Sequence, residues 1–194
     1  MSTLLQWSIG IPLALFIANG AEWIIHKRTL HRRGKRKGSF WNFHWYEHHN
    51  ESRRHDMKDP AYESASLLAW NSRTKELASL ASGLLLWIPM FVLTRGLAQA
   101  LAAGFVYSTA NYYYKHRRAH RDPVWARKHL PWHVDHHLGP DQDANWCVTK
   151  PWWDWIMGTR QKYVGTEREA ADLARRAGRA ARRETFEEPV ANAP

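Results

Sequence analysis

Three stretches of this chain carry no charged side chain: residues 2–21, 77–94 and 96–114. A helix of about 20 apolar residues crosses the hydrocarbon core of a bilayer, and about 17 is the short limit. Inside hydrocarbon the backbone must satisfy its own N–H and C=O groups, which favours helices. The runs therefore predict an all-α fold, an integral membrane helical bundle of about three spans. The mean hydropathy of −0.59 points the other way. That average hides segregation, because the basic residues gather beside the apolar runs instead of interrupting them.

The first run could be a secretory signal, and "ANGAEW" loosely resembles a cleavage site. The first six residues hold no Lys or Arg, however, so the positive region that opens a signal peptide is missing and an uncleaved anchor is expected. Net charge is +10, with seven Lys or Arg between Lys27 and Lys37 and more at Lys115, Arg117, Arg118 and Arg121. Basic residues next to spans remain on the cytoplasmic side. The N-terminus and the turn at Arg95 and Gly96 would then face outward, with every histidine on the cytoplasmic side. Such a charge also suits nucleic acid, but no nucleic-acid motif accompanies it, and anionic lipid headgroups explain it more simply. The single cysteine, Cys147, excludes an internal disulfide and a thiolate zinc cage.

The organisation expected is a membrane-embedded domain over residues 1–165 and a charged tail over 166–194. That tail is rich in Ala, Arg and Glu and reads as an exposed helix that fades into disorder near Pro189. Residues 63–76, with "SASLLAW", suggest an interfacial helix, and the second and third runs a tight hairpin.

Ten of the twelve histidines fall into four clusters. His26 and His31 have four residues between them. His44, His48 and His49 read H-x3-HH, His116 and His120 H-x3-H, and His133, His136 and His137 H-x2-HH. Helical positions three or four apart share a face. That pairs His44 with His48, His116 with His120, and His133 with both His136 and His137. His49 points about 100° from His48 and can serve a second metal or the far side of the same one. The five-residue step from His26 to His31 needs a local distortion or a helix end. Ten imidazoles exceed the needs of one ion and suit two. Imidazole alone does not select the metal. Oxidation of unactivated C–H bonds in a membrane needs a redox metal, which favours iron over redox-inert zinc. His55 and His129 read as solvated side chains.

These clusters, followed by "NWCVTKPWWDWIMGT", resemble the fatty acid hydroxylase / sterol desaturase superfamily. Asn145, Val148, Thr149, Pro151, Trp153, Asp154, Gly158 and Thr159 fit the segment that follows its last histidine box, with Cys147 where Gly is usual. The box spacing looks most like the fatty acid 2-hydroxylase branch. The resemblance implies that the ten clustered histidines ligate metal beneath a cap of cytosolic helices. It implies two iron ions, with zinc able to substitute in purified protein, and O2 as co-substrate. It further implies a lipid or other hydrophobic substrate reached from within the bilayer. Without a fused cytochrome b5-like domain, electrons must come from an external donor: a ferredoxin, a cytochrome b5-like protein or a reductase. Members often have four or more spans, against three here.

Ligating histidines need their second ring nitrogen held by an acceptor. Glu22, Asp135, Asn145 and Asp154 are the candidates, with Glu47 beside them. Glu22 stands out because it lies one helical turn before His26. The expected activity is a di-iron monooxygenase. The alternatives are a desaturase or carotenoid-type hydroxylase on the same centre, or a non-enzymatic metal-binding membrane protein. Transport is disfavoured, since transporters place ionisable groups near the bilayer midplane and the middles of these runs have no His, Asp or Glu.

Overall fold

A computed structural model describes residues 2–187, which are helical or irregular and contain no strand. Helix α1 (Thr3–Ile25) is capped by Ser2, whose hydroxyl accepts from the Leu5 amide at 3.4 Å. It runs on without a break as a π-helix, His26–Arg33. After a turn, a second π-helix (Phe43–His49) leads into α2 (Asn50–Arg54). Helices α3 (Ser72–Leu93) and α4 (Gly96–Arg121) form the expected hairpin. Short helices α5 (Pro123–His129), α6 (Pro131–Leu138) and α7 (Trp152–Ile156) follow, and α8 (Glu167–Glu187) closes the described chain. The tail's expected fading near Pro189 lies outside the described residues.

α4 is the middle helix, packed on α1 at one side and α3 at the other. Its seam with α1 is built from small residues four apart: Gly10, Ala14 and Ala18 on one helix, Ala100, Gly104 and Ser108 on the other, all buried. A Cβ on Gly104 would lie 2.5 Å from the Ala14 Cβ, and one on Gly10 2.7 Å from the Ala100 Cβ. Backbones this close pack well without a hydrophobic driving force, as membrane helices must. The matched order of these contacts shows that α1 and α4 run parallel. Against α3, the Trp87 and Phe105 rings stack at 4.1 Å.

Two stretches, Thr3–Arg33 and Ser72–Leu93, are long and apolar enough to cross a membrane. By that measure the third expected span does not join them. Gln99, Ser108, Thr109, Asn111 and three consecutive tyrosines (Tyr112, Tyr113 and Tyr114) make α4 the most polar of α1, α3 and α4. The interfacial helix expected over 63–76 is also absent. Residues 64–71 are irregular, and α3 begins only at Ser72, because Asn71 and Thr74 form a reciprocal capping box there.

Between α1 and α3, floored by α4, lies a cavity of about 550 Å³. Leu80, Gly83, Trp87 and Phe105 line its apolar end, and His26 and His44 the other.

Candidate metal centre

The five-residue step that an α-helix cannot accommodate is met by the π-helix. Its i→i+5 hydrogen bonding stacks residues five apart, and the His26 and His31 rings come to 5.0 Å. The second π-helix does the same for His44 and His49, at 4.8 Å. His116 and His120 sit one α-helical turn apart near the end of α4, and His133, His136 and His137 all lie on α6.

Nine of these histidines converge in two buried groups. His26, His31, His44, His49 and His136 form one, and His48, His116, His120 and His137 the other; within each, one ring nitrogen per residue lies within 4.8 Å of all the rest. The groups adjoin, with the His49 and His137 rings 4.3 Å apart. His133 stands at the edge: its Nε2 is 3.0 Å from His120 Nε2, but it belongs to neither mutually close set. The pairing of His133 with both His136 and His137 thus gives way to a division. His136 joins the first group and His137 the second.

Ring-nitrogen chemistry decides what such groups can hold. His26 Nδ1 meets the Trp146 carbonyl at 2.6 Å, His136 Nδ1 the Ala144 carbonyl at 2.7 Å, and His120 Nδ1 the Met57 carbonyl at 2.8 Å. Carbonyl oxygens only accept, so in the neutral ring the proton sits on Nδ1 and the lone pair on Nε2. Carboxylates do the same elsewhere. Asp143 faces His31 Nδ1 at 3.0 Å and Asp59 faces His48 Nδ1 at 2.8 Å; Glu76 Oε1 lies 2.6 Å from His116 Nδ1, a close contact outside hydrogen-bond alignment. Burial first, then neighbouring imidazoles, hold His48, His49, His136 and His137 well below the usual histidine range, so these rings are neutral. Hydrogen bonds to His31 and Lys35 hold the Asp143 carboxyl below the usual range of an aspartate.

The resulting lone pairs point at one another. His49 Nε2 lies 3.1 Å from His31 Nε2 and 3.2 Å from both His44 Nε2 and His136 Nε2, while His26 Nε2 is 2.9 Å from His44 Nε2. A single N–H cannot serve three neighbours. In the second group, His48 Nε2, His116 Nε2 and His137 Nε2 are buried without any hydrogen-bond partner. Unpaired buried polar atoms cost about 1–3 kcal/mol each. A cation at each focus turns that repulsion into ligation, so the residues fit metal ions.

The acceptors differ from those expected. None of Glu22, Asp135, Asn145, Asp154 and Glu47 hydrogen-bonds a histidine ring. Glu22 instead accepts from the amides of Val148 and Thr149 and from the Thr149 hydroxyl, fastening α1 to the 145–150 loop. Asp154 accepts from the amides of Trp146 and Cys147. Asp135 takes the amides of Tyr163 and Val164 and pairs with Arg160, and Glu47 pairs with Lys75. Asn145 adopts φ 56°, a left-handed conformation that Asn tolerates, and bonds Gln161. Asp154 and Asn145 therefore act one step further out, holding the strip whose Ala144 and Trp146 carbonyls fix His136 and His26. Asp59, Glu76 and Asp143 were missed because they lie 11, 40 and 112 residues from their histidines. His55 is exposed and pairs with Glu51, and exposed His129 stacks on Trp125, as befits side chains outside the centre.

A family model described as fatty acid hydroxylase matches residues 11–159. The chain belongs to the fatty acid hydroxylase family. The match covers all four histidine clusters and ends at Thr159, the last residue of the Asp154-anchored strip. No curated protein and no solved structure matches the chain. Family and apolar helices together mark it as a membrane protein with a histidine-rich site able to hold metal.

Proposed function

We propose that this chain is an O2-dependent di-iron hydroxylase acting on a lipid or other hydrophobic substrate. The observation that carries this reading is the opening of the histidine groups onto the apolar cavity through His26 and His44. Its volume of about 550 Å³ falls in the range of about 300–1,000 Å³ found for small-molecule sites. His26, His31, His44, His49 and His136 would hold one ion, and His48, His116, His120 and His137 the other, with His133 beside the second. Iron so bound supplies dioxygen activation and C–H cleavage. The balance is one C–H bond, one O2, two electrons and two protons giving one C–OH and one water.

The chain's own residues do the remainder. Leu80, Gly83, Trp87 and Phe105 exclude water and orient the substrate's apolar body from between the helices. Tyr62 donates to Glu76 Oε2 at 2.8 Å and so holds the Glu76 carboxylate beside His116. The basic residues after α1 and at the end of α4 support a cytoplasmic cap of histidines over the spans, with α4 as a third span. An external redox protein delivers the electrons.

The test is metal analysis of protein purified with and without air, together with O2 consumption in the presence of reductant and lipid. Iron near two per chain with lipid-dependent O2 uptake is expected. Tightly bound zinc under all conditions, with no uptake, overturns the reading.

A further inference from the structure

We infer that the groove between α8 and the end of α6 is the docking surface for the acidic face of a small redox protein. The inference rests on the oxygenase reading above, since only such a reaction requires an external donor. Five arginines, Arg53, Arg168, Arg175, Arg176 and Arg179, line this groove of about 300 Å³ with one carboxylate, Asp172. Asp172 is already engaged, pairing with Arg175 and accepting the Tyr163 hydroxyl at 3.1 Å. Burial, and after it the neighbouring Arg176, pull the Arg53 guanidinium below the usual arginine range.

The position of the groove supports a donor. α8 is tied back onto the histidine cap, where Glu169 pairs with Arg127 and accepts from the Gly165 amide, and Arg176 reaches Asp56 at 3.6 Å. Arg127 lies on α5, beyond the end of α4, and Asp56 just after α2. The anchoring carboxylates turn the arginines outward, and Arg175 is 72% exposed. Arg175 and Arg179 are one helical turn apart, and Arg168 two turns before Arg175, so they share a face. Arg53 connects this surface to the metal groups. Its guanidinium donates to the carbonyl of His137 at 2.8 Å and to that of Gly139 at 3.2 Å. An acidic protein seated here stands one side chain and one peptide unit from a histidine of the second group. Each docking transfers one electron, oxidising the donor and reducing the metal pair, and two dockings supply one turnover.

The probe is an acidic plant-type [2Fe–2S] ferredoxin, and the readout its binding to the full-length protein in detergent. The variant Arg168→Glu/Arg175→Glu/Arg179→Glu touches no histidine, and its metal content and melting temperature confirm folding. A matched control, Arg32→Glu/Arg36→Glu/Lys37→Glu, makes the same charge change on exposed residues elsewhere. The groove variant is expected to weaken binding by about tenfold or more, with most of the salt dependence lost, and the control by far less. Equal losses in both variants mean general attraction to a basic protein and overturn the proposal. So does unchanged ferredoxin binding together with a lost response to phosphatidylserine nanodiscs, which assigns the groove to lipid headgroups. Wild-type protein that binds ferredoxin but consumes no O2 contradicts the oxygenase reading, while the charge reversals still decide the docking.

Discussion

Replacing Asp59 with Asn tests whether the acceptors behind the histidines set the affinity for metal. Asp59 is buried, and both its oxygens accept. Oδ2 receives His48 Nδ1 at 2.8 Å and the Ser72 hydroxyl at 3.2 Å, and Oδ1 receives the Ala61 amide at 2.9 Å. An asparagine has one carbonyl oxygen for these two places. With that oxygen toward Ala61, the NH2 group faces His48 Nδ1, which must become an acceptor. The His48 proton then moves to Nε2 and removes the lone pair aimed at the second group. With the oxygen toward His48, an N–H faces the Ala61 N–H. Either way a charge-assisted hydrogen bond is lost, about 1.5–3 kcal/mol. At about 1.4 kcal/mol per factor of ten, that is a loss of about 10–100-fold in metal affinity. Competition with a chelator of known affinity, monitored by metal content, measures it. An Asp59→Asn protein that holds both ions as tightly as the wild type, with the same activity, would refute the argument.

Further outcomes follow from other contacts. Gly104→Val pushes a side chain into Ala14 across the α1 and α4 seam and should cost about 1–3 kcal/mol, read as a lower melting temperature in detergent. Gly83→Leu has no neighbour within 4 Å to clash with and fills the cavity instead; folding and metal content should persist while KM for the lipid rises severalfold or turnover stops. Glu22→Ala leaves the amides of Val148 and Thr149 without their acceptor and should destabilise the fold by about 2 kcal/mol. Because Glu22 touches no histidine, metal affinity per folded molecule should remain close to wild type, whereas a drop like that expected for Asp59→Asn would return Glu22 to the ligand-holding role. His136→Ala should abolish turnover and lower metal content; unchanged activity would refute its place among the ligands.

What could be read along the chain is what local spacing encodes. The i, i+4 pair His116 and His120 needs only an α-helix, and the distortion demanded by His26 and His31 is visible as a step that α geometry cannot satisfy. Uncharged length marks α1 and α3, whereas the tyrosines and amides of α4 suit a middle helix that buries part of its surface against two neighbours. The capping box at Asn71 and Thr74 was also present in the sequence, yet apolar "SASLLAW" drew the expected helix too early. Least legible were the acceptors. Glu22 and Asp135 are conspicuous carboxylates near histidines in sequence, but tertiary structure sends them to backbone amides. The carboxylates that face imidazoles, Asp59, Glu76 and Asp143, come from separate segments, and half of the ring anchors are main-chain carbonyls that no residue identity announces.

The two His-His dipeptides explain why there are two histidine groups and why they adjoin. Successive helical residues diverge by about 100°, so neighbouring histidines cannot aim at one point. His48 and His49 divide, the first toward His116 and His120, the second toward His31 and His44. His137 and His136 divide in the same sense. Each dipeptide therefore contributes one ring to each group, and two such bridges from different helical segments hold the groups together: the His49 and His136 rings lie 4.8 Å apart, and those of His48 and His137 also 4.8 Å. A π-helix under one dipeptide completes the device, because it brings His44 under His49 while His48 turns to the other group. Single-turn pairs such as His116 and His120 could build either group alone. Joining the two histidine groups beside one cavity uses the adjacent histidines, and the local geometry that lets them point apart.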